Sequence, residues 1–375
     1  VYHFVVIRRL YIHNFRCLEN FDLPIGGQQS TLLIGKNGSG KTTVSLALEI
    51  LQKIARGKNR VEDLIDKRDL TRGRSAEAPV RFEIEADLGG CIYGYQIAFE
   101  RPKSFREFRV LDEKMVADGK VVYSRELAKV HLSRKGQTQE AEFFIDWHLV
   151  ALPVIQQESK DDPLFIFKQW LARILILRPV PSLITGDSET ETLEPHPSVH
   201  NFGAWFTGLL ASAPAAYTRI DSYIKQVMPD LKDIKNPLVG SESRSLSVQF
   251  AAGQESIDLP FRDLSDGEKC FMICALVLAA SETYNFTVCF WDEPDNYLAL
   301  SEVREFVLTL RRALQNQGQL VATSHNPEAI RAFSRENTLL LYRKTHLEPT
   351  VARPVGDLQF SGDLVGALIR DDVEP

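Results

Sequence analysis

Apolar and polar residues follow two different periods along this chain, and the change of period divides it. From residue 80 to about 147 they alternate every second position, in "VRFEIEADL", "YGYQIAFE", "FRVLDEKMV", "VVYSREL", "AKVHLSR" and "EFFIDWH". Turn signals "LGG", "ADGK" and "RKGQ" separate these runs, which predicts an antiparallel β segment rather than βαβ units. On either side, short apolar runs alternate with helical spacing. Residues 4 to 12, "FVVIRRLYI", predict a strand, and "HNFRCLENFDLPI" a turn and second strand. "STLLIGKNGSGKTTVSLALEILQKIA" reads strand, glycine loop, helix. Residues 163 to 235 carry helical periodicity, broken by the acidic loop "TGDSETETLEPHPS", which is expected to be disordered. "SLSVQFAAGQESIDLPFRDLSDGEK" returns to strands before an apolar helix. "TVCFWDE", "GQLVATSH" and "NTLLLYRK" then alternate as strands with the helical runs "SEVREFVLTLRRALQNQ" and "PEAIRAF". The polar stretch 56–79 is expected on the surface. The pattern implies an α/β fold with a mixed sheet. Its head is formed by residues 1–55 and 246–375, with a polar and antiparallel β subdomain at 56–150 and a mainly helical insertion at 151–245.

The chemistry sits at the strand ends. "GKNGSGKT", Gly35 to Thr42, places glycines between a strand and a helix, so that backbone N–H groups can converge on phosphates at the helix N-terminus. Gly35, Asn37, Gly38, Ser39, Gly40, Lys41, Thr42 and Thr43 are the expected nucleotide contacts. In this pattern Lys41 reaches the β- and γ-phosphates and Thr42 ligates Mg²⁺. "CFWDEP" puts Asp292 and Glu293 side by side at the end of an apolar run, a costly pairing unless a cation or a reaction uses it. Adjacent side chains at a strand end point in different directions, so Asp292 can hold Mg²⁺ while Glu293 deprotonates a water. The bland alternative is an acidic turn after a buried strand.

"LSDGEK", Leu264 to Lys269, is ordinary capping chemistry by itself, with Ser265 or Asp266 as cap and Glu268 in the first turn. Standing after the glycine loop and before "WDEP", it resembles the signature sequence of ABC-type ATPases. That resemblance implies that Ser265 and Gly267 meet the γ-phosphate held by a second subunit. It further implies that His325 of "LVATSHNPEAI" approaches the γ-phosphate, and that "DNYL", residues 295–298, lies at a dimer interface. The opening "IRRLYIHNFRCLENFDL" resembles the SMC/RecF/OLD group of these ATPases, and small stand-alone members resemble components of bacterial anti-phage systems. Arg16 is the position where that group implies a phosphate or base contact. The resemblance covers roughly residues 1–55 and 260–345. It implies an ABC-type P-loop ATPase head, ATP and Mg²⁺ as cofactors, glutamate base catalysis by Glu293 with His325 and Lys41, and ATP-dependent self-association. A glutamine loop is not legible; Gln156 and Gln157 are candidates. About two hundred residues without heptads separate the two halves, which excludes the long coiled coil of true SMC proteins. Only 50 residues follow His325, too few for the metal-dependent nuclease domain of OLD proteins, so a nuclease or toxin activity is expected from a partner chain.

Composition changes little. The net charge of −6 argues against a wholly basic nucleic-acid wrapper. Basic stretches 56–74 and 101–109, with Arg60, Lys67, Arg72 and Arg74 among them, are either a DNA-facing surface or an ordinary solvated one. The five cysteines are odd in number and scattered, and Cys270 and Cys274 read as core thiols. The apolar run 271–280 is about half a membrane span, and the N-terminus reads as a strand rather than a signal peptide. The absence of an initiator Met suggests numbering that begins inside a trimmed chain. A cytoplasmic ATPase acting on DNA or controlling an effector encoded nearby is the leading expectation. The alternatives are a transporter ATPase subunit and a nucleotide-dependent scaffold with little turnover.

Overall fold

The period-2 segment folds as the alternation predicts. In the strand Val80–Leu88, Val80, Phe82, Ile84 and Ala86 are buried while Arg81, Glu83 and Glu85 point the other way. Together with Val6–His13, Phe21–Leu23, Cys91–Glu100, Arg109–Ala117, Lys120–Glu126, Lys129–Leu132 and Ala141–Phe144 it forms an eight-stranded antiparallel sheet. The register pairs Leu10 with Ile84 and Ile12 with Phe82, so apolar residues meet on one face. Edge-to-face contacts from Phe15 to Phe82 to Phe99 fill that face, each ring contributing roughly 2–3 kcal/mol by burial. On the opposite face Arg9 pairs with Asp22 and Glu83, and Arg81 with Asp112.

The computed structural model describes residues 5–71, 78–103, 105–133, 141–283, 286–315, 318–360, 362–370 and 372–373. They divide into two compact units, Val1–Ile174 with Phe333–Pro375, and Leu175–Ala332. In the first unit the antiparallel sheet is accompanied by a fully buried strand, Ser30–Ile34, parallel to Thr338–Tyr342, which pairs antiparallel with Val351–Pro354. The helix Lys41–Ala55 follows the buried strand, and Phe167 of the helix Pro163–Ala172 packs on Tyr93 and Tyr95 of the sheet. In the second unit three parallel strands, Leu175–Leu177, Val288–Trp291 and Gln319–Thr323, are accompanied by the helices Phe202–Ser212, Ala216–Val227, Asp266–Thr283 and Leu300–Gln315. Two small antiparallel sheets complete it. No helix among the described residues is long and apolar enough to cross a membrane.

Two expectations are corrected. The acidic stretch 185–198 is not disordered: the Thr192 N–H donates to the Ala204 carbonyl, and the Arg178 and Val180 N–H groups donate to Pro197 and Ser198. Gly203 and Gly208 of the helix Phe202–Ser212 have no Cβ to keep this stretch away, so its backbone lies directly on the helix. The polar stretch after residue 56 is not wholly exposed either. Val61, Leu64 and Ile65 are buried, and Val61 and Val150 bond across to His148 and Asn59.

Candidate functional site

The glycine loop belongs to the first unit. Gly35, at φ 148°, passes so close to the Leu341 carbonyl that any Cβ would collide with it. Gly38 and Gly40 adopt φ of 79° and 99°, and a Cβ on Gly40 would stand 2.8 Å from the Cys17 sulfur. These are conformations and clearances that only glycine meets without strain. Gly40 is also the N-cap of the helix Lys41–Ala55 and supplies no capping side chain. The first N–H groups of that helix therefore face the loop with the positive end of the helix dipole behind them. Lys41 is buried and folds back to donate to the carbonyls of Gly35 (2.9 Å) and Lys36 (3.4 Å). Among the described residues the buried Ser39 hydroxyl has no hydrogen-bond partner. Together these features suit a phosphate group.

Around the loop, Asn37, Gly38 and Thr42 are exposed, whereas Thr43 is buried and its hydroxyl accepts from the Cys17 thiol at 3.8 Å. The turn carrying Asn14 and Arg16, both at positive φ, is tied to the same place: the Thr350 N–H donates to the Cys17 carbonyl and the Thr350 hydroxyl to the Ser39 carbonyl. Arg16 itself is held by Asp69, through a 2.9 Å ion pair and a backbone bond. Gln156 and Gln157 are exposed, and Gln156 lines a cavity of about 570 Å³ with Cys91, Asp118 and Asp162. Arg60 and Lys67 line another, of about 810 Å³, where Glu62, Asp66, Glu107 and Asp146 offset the basic residues. Arg72 and Arg74 lie outside the described residues.

The carboxylates belong to the second unit, where neighbouring strand ends organise them. The Asp292 N–H donates to the Leu177 carbonyl at 2.8 Å. One hydroxyl, that of Thr323, donates to Asp292 Oδ1 at 2.5 Å and accepts from the Glu293 N–H at 2.9 Å. Glu293 sits at φ 52°, a left-handed backbone that costs a non-glycine residue about 1–2 kcal/mol. Glu293 Oε1 lies 3.6 Å from His325 Nε2. The next hydroxyl, Ser324, donates to the buried Asp295 at 2.8 Å and accepts from the Asn326 N–H at 2.9 Å. Thr323 thus holds Asp292 and Glu293, and Ser324 holds Asp295. Asp292, Glu293 and His325 were legible in the sequence, and Asp295 only as the start of the stretch 295–298 expected at a dimer interface; Thr323 and Ser324 were not. A hydroxyl at a strand end carries no signal until its neighbour strand is known.

Ser265 and Glu268 form a capping box on the helix Asp266–Thr283: the Ser265 N–H donates to Glu268 at 2.7 Å, and the Glu268 N–H to the Ser265 hydroxyl at 3.3 Å. A Cβ on Gly267 would come within 3.0 Å of the Tyr297 carbonyl, so this helix start lies against the turn 295–298. Lys269 is buried and donates to the carbonyls of Pro181 and Arg262. Cys270 and Cys274 are buried on this helix, and burial pushes both thiols up to about 12.

The family described as the RecF/RecN/SMC N terminal domain matches residues 6–347. A 46-residue segment is 46% identical to an OLD nuclease of Thermus scotoductus, spanning 12% of this chain and 8% of that protein. Among solved structures, an SMC head bound to the C-winged helix domain of ScpA is similar at a TM-score of 0.56 and 12% identity, over 93% of this chain and 98% of that one. An SMC head domain with an extended coiled coil, bound to the C-terminal domain of ScpA derived from Pyrococcus furiosus, gives 0.54 and 11%, over 98% and 99%. These likenesses show an SMC-head-like α/β fold with mixed and antiparallel sheets.

Proposed function

The chain belongs to the RecF/RecN/SMC N-terminal domain family, an SMC- and OLD-like group of ATPases, and from that premise we propose that it is an ATP-driven switch. It binds ATP, associates with a second copy of itself around the nucleotide, and separates on hydrolysis. The observation that carries this reading is the glycine loop at an uncapped helix N-terminus, with Lys41 parked on its carbonyls and the Ser39 hydroxyl lacking a partner among the described residues. A bound triphosphate gives Lys41 a better partner than two carbonyl oxygens and supplies acceptors for the loop N–H groups. Thr42 and Asp292 are the proposed magnesium ligands, and the ion would neutralise charge on the phosphates. Glu293 is the proposed general base, with the nearby His325 a second contact to the γ-phosphate. Ser265 and Gly267, at the start of a capped helix, are proposed to meet the γ-phosphate bound by the other copy, and this makes ATP a bridge between copies.

The output of the switch is proposed to be engagement of DNA or control of a partner effector, as in anti-phage defence. The resemblance to the SMC/RecF/OLD group supports this reading, as does the short segment shared with an OLD nuclease.

Turnover and mass, read with and without ATP and Mg²⁺ by phosphate release and light scattering, test the reading. Lys41→Ala is expected to lose binding or turnover while staying folded. Glu293→Gln is expected to slow turnover by roughly 10²–10⁴-fold and to accumulate the ATP-bound association, which Ser265→Arg in the same chain abolishes. Wild-type turnover in Glu293→Gln reduces Glu293 to a turn residue. An association state indifferent to ATP and to Ser265→Arg overturns the bridging mechanism.

A further inference from the structure

Three carboxylates fall within four residues of the turn after the strand Val288–Trp291, and the proposed hydrolysis uses only two of them. The third, Asp295, is 4% exposed. Its Oδ2 accepts from the Ser324 hydroxyl at 2.8 Å, while its Oδ1 has no hydrogen-bond partner among the described residues. A carboxylate buried with one oxygen unsatisfied weakens the fold, and an amide or an apolar side chain would fill the same space at lower cost. The bond it makes lies at a particular place. Ser324 precedes His325, and the same hydroxyl accepts from the N–H of Asn326, which follows it. One oxygen therefore fixes both flanks of His325 and ties them to the turn that carries Glu293. That turn is closed by the Asn296 N–H on the Glu293 carbonyl and the Leu298 N–H on the Asp295 carbonyl.

We infer that Asp295, acting through the Ser324 hydroxyl, is a positioning residue for ATP hydrolysis that holds the His325 turn against the Glu293 turn. The inference rests on Glu293 being the general base. Thr323 secures the Glu293 backbone and the Asp292 carboxylate, and Asp295 with Ser324 secures the chain on either side of His325. Displacing a catalytic group by about 1 Å costs on the order of 100-fold in rate, so a single hydroxyl at this junction is visible in turnover.

The test compares wild type, Ser324→Ala, Ser324→Thr and Asp295→Leu in the full chain, measuring kcat, KM, ATP affinity and melting temperature at pH 7.5. Ser324→Ala is expected to lower kcat about 10- to 100-fold while KM and ATP affinity stay within about twofold, and Ser324→Thr to restore kcat. Asp295→Leu, which fills the same space but accepts no hydrogen bond, is expected to lose kcat similarly yet to melt at or above the wild-type temperature. Wild-type kcat in Ser324→Ala and Asp295→Leu overturns the inference and leaves the hydrolytic reading standing. So does a loss of kcat that tracks lost melting temperature and ATP affinity and is not rescued by threonine. A wild-type chain without turnover overturns the hydrolytic reading first, and this inference with it.

Discussion

Asp295 also links protonation to stability. Burial above all pushes its carboxyl from an ordinary 3.8 up to about 6; the Ser324 hydrogen bond opposes this and the neighbouring Glu293 charge adds to it. The folded chain therefore keeps a proton that the unfolded chain has already released. The sign follows directly: between about pH 4 and 6 the fold weakens as pH rises, and above that window the full cost of about 3 kcal/mol is present. Asp295→Asn is expected to be more stable than wild type by up to roughly that amount at pH 7.5, with the difference shrinking towards zero near pH 4. Urea denaturation at several pH values measures it, and a difference independent of pH contradicts it. Strain is stored two residues earlier, where Glu293 holds a left-handed backbone that the Thr323 hydroxyl fastens through its N–H.

At the scale of elements, the antiparallel sheet carries a buried polar cluster that its alternation disguises. Glu113 and Arg125 face each other across the strands Arg109–Ala117 and Lys120–Glu126, fully buried at 3.7 Å. Glu113 accepts from the Tyr95 and Tyr123 hydroxyls and from the N–H groups of Ala151 and Leu152, while Arg125 donates to the carbonyls of Leu127, Leu149 and Asp146. The cluster fixes residues 146–152 to the sheet. Glu113→Ala leaves a guanidinium buried without its carboxylate and is expected to cost about 3–5 kcal/mol in denaturant unfolding. A loss below about 1 kcal/mol would mean that the backbone bonds alone hold Arg125. The period of the strands was legible because half-buried strands repeat every second residue, as Val80 to Ala86 do. The glycine loop was legible because Gly35, Gly38 and Gly40 meet demands no other residue meets. Leu175–Leu177 was not, since three residues show no period and the strand exists through its pairing with Cys289–Trp291. Thr323 and Ser324 were not, since their partners lie about thirty residues upstream and only strand pairing brings them near.

For the molecule as a whole, the first unit is completed only when the chain returns at Phe333. Leu33 pairs with Leu339 about three hundred residues later, Gly35 presses on the Leu341 carbonyl, and Thr350 bonds to Ser39 and Cys17. The glycine loop is thus braced by the far end of the chain, a long closure that favours slow folding. One atom reports on that bracing. Cys17 is partly exposed, but its sulfur is wedged between the backbone of Gly40 and the Thr43 hydroxyl, so an alkylating reagent gains full access only when the loop loosens. A nucleotide that binds the closed loop suppresses that opening by mass action, about tenfold at roughly ten times its Kd. Cys270, Cys274 and Cys289 are buried thiols that serve as the silent background. Peptide mass spectrometry of Cys17 alkylation, with and without ATP, is expected to show this protection in wild type and not in Lys41→Ala; an ATP-independent rate in wild type contradicts it. In this way an unmodified sulfur behind the loop becomes a built-in footprint of occupancy, read in minutes of labelling without any measurement of turnover.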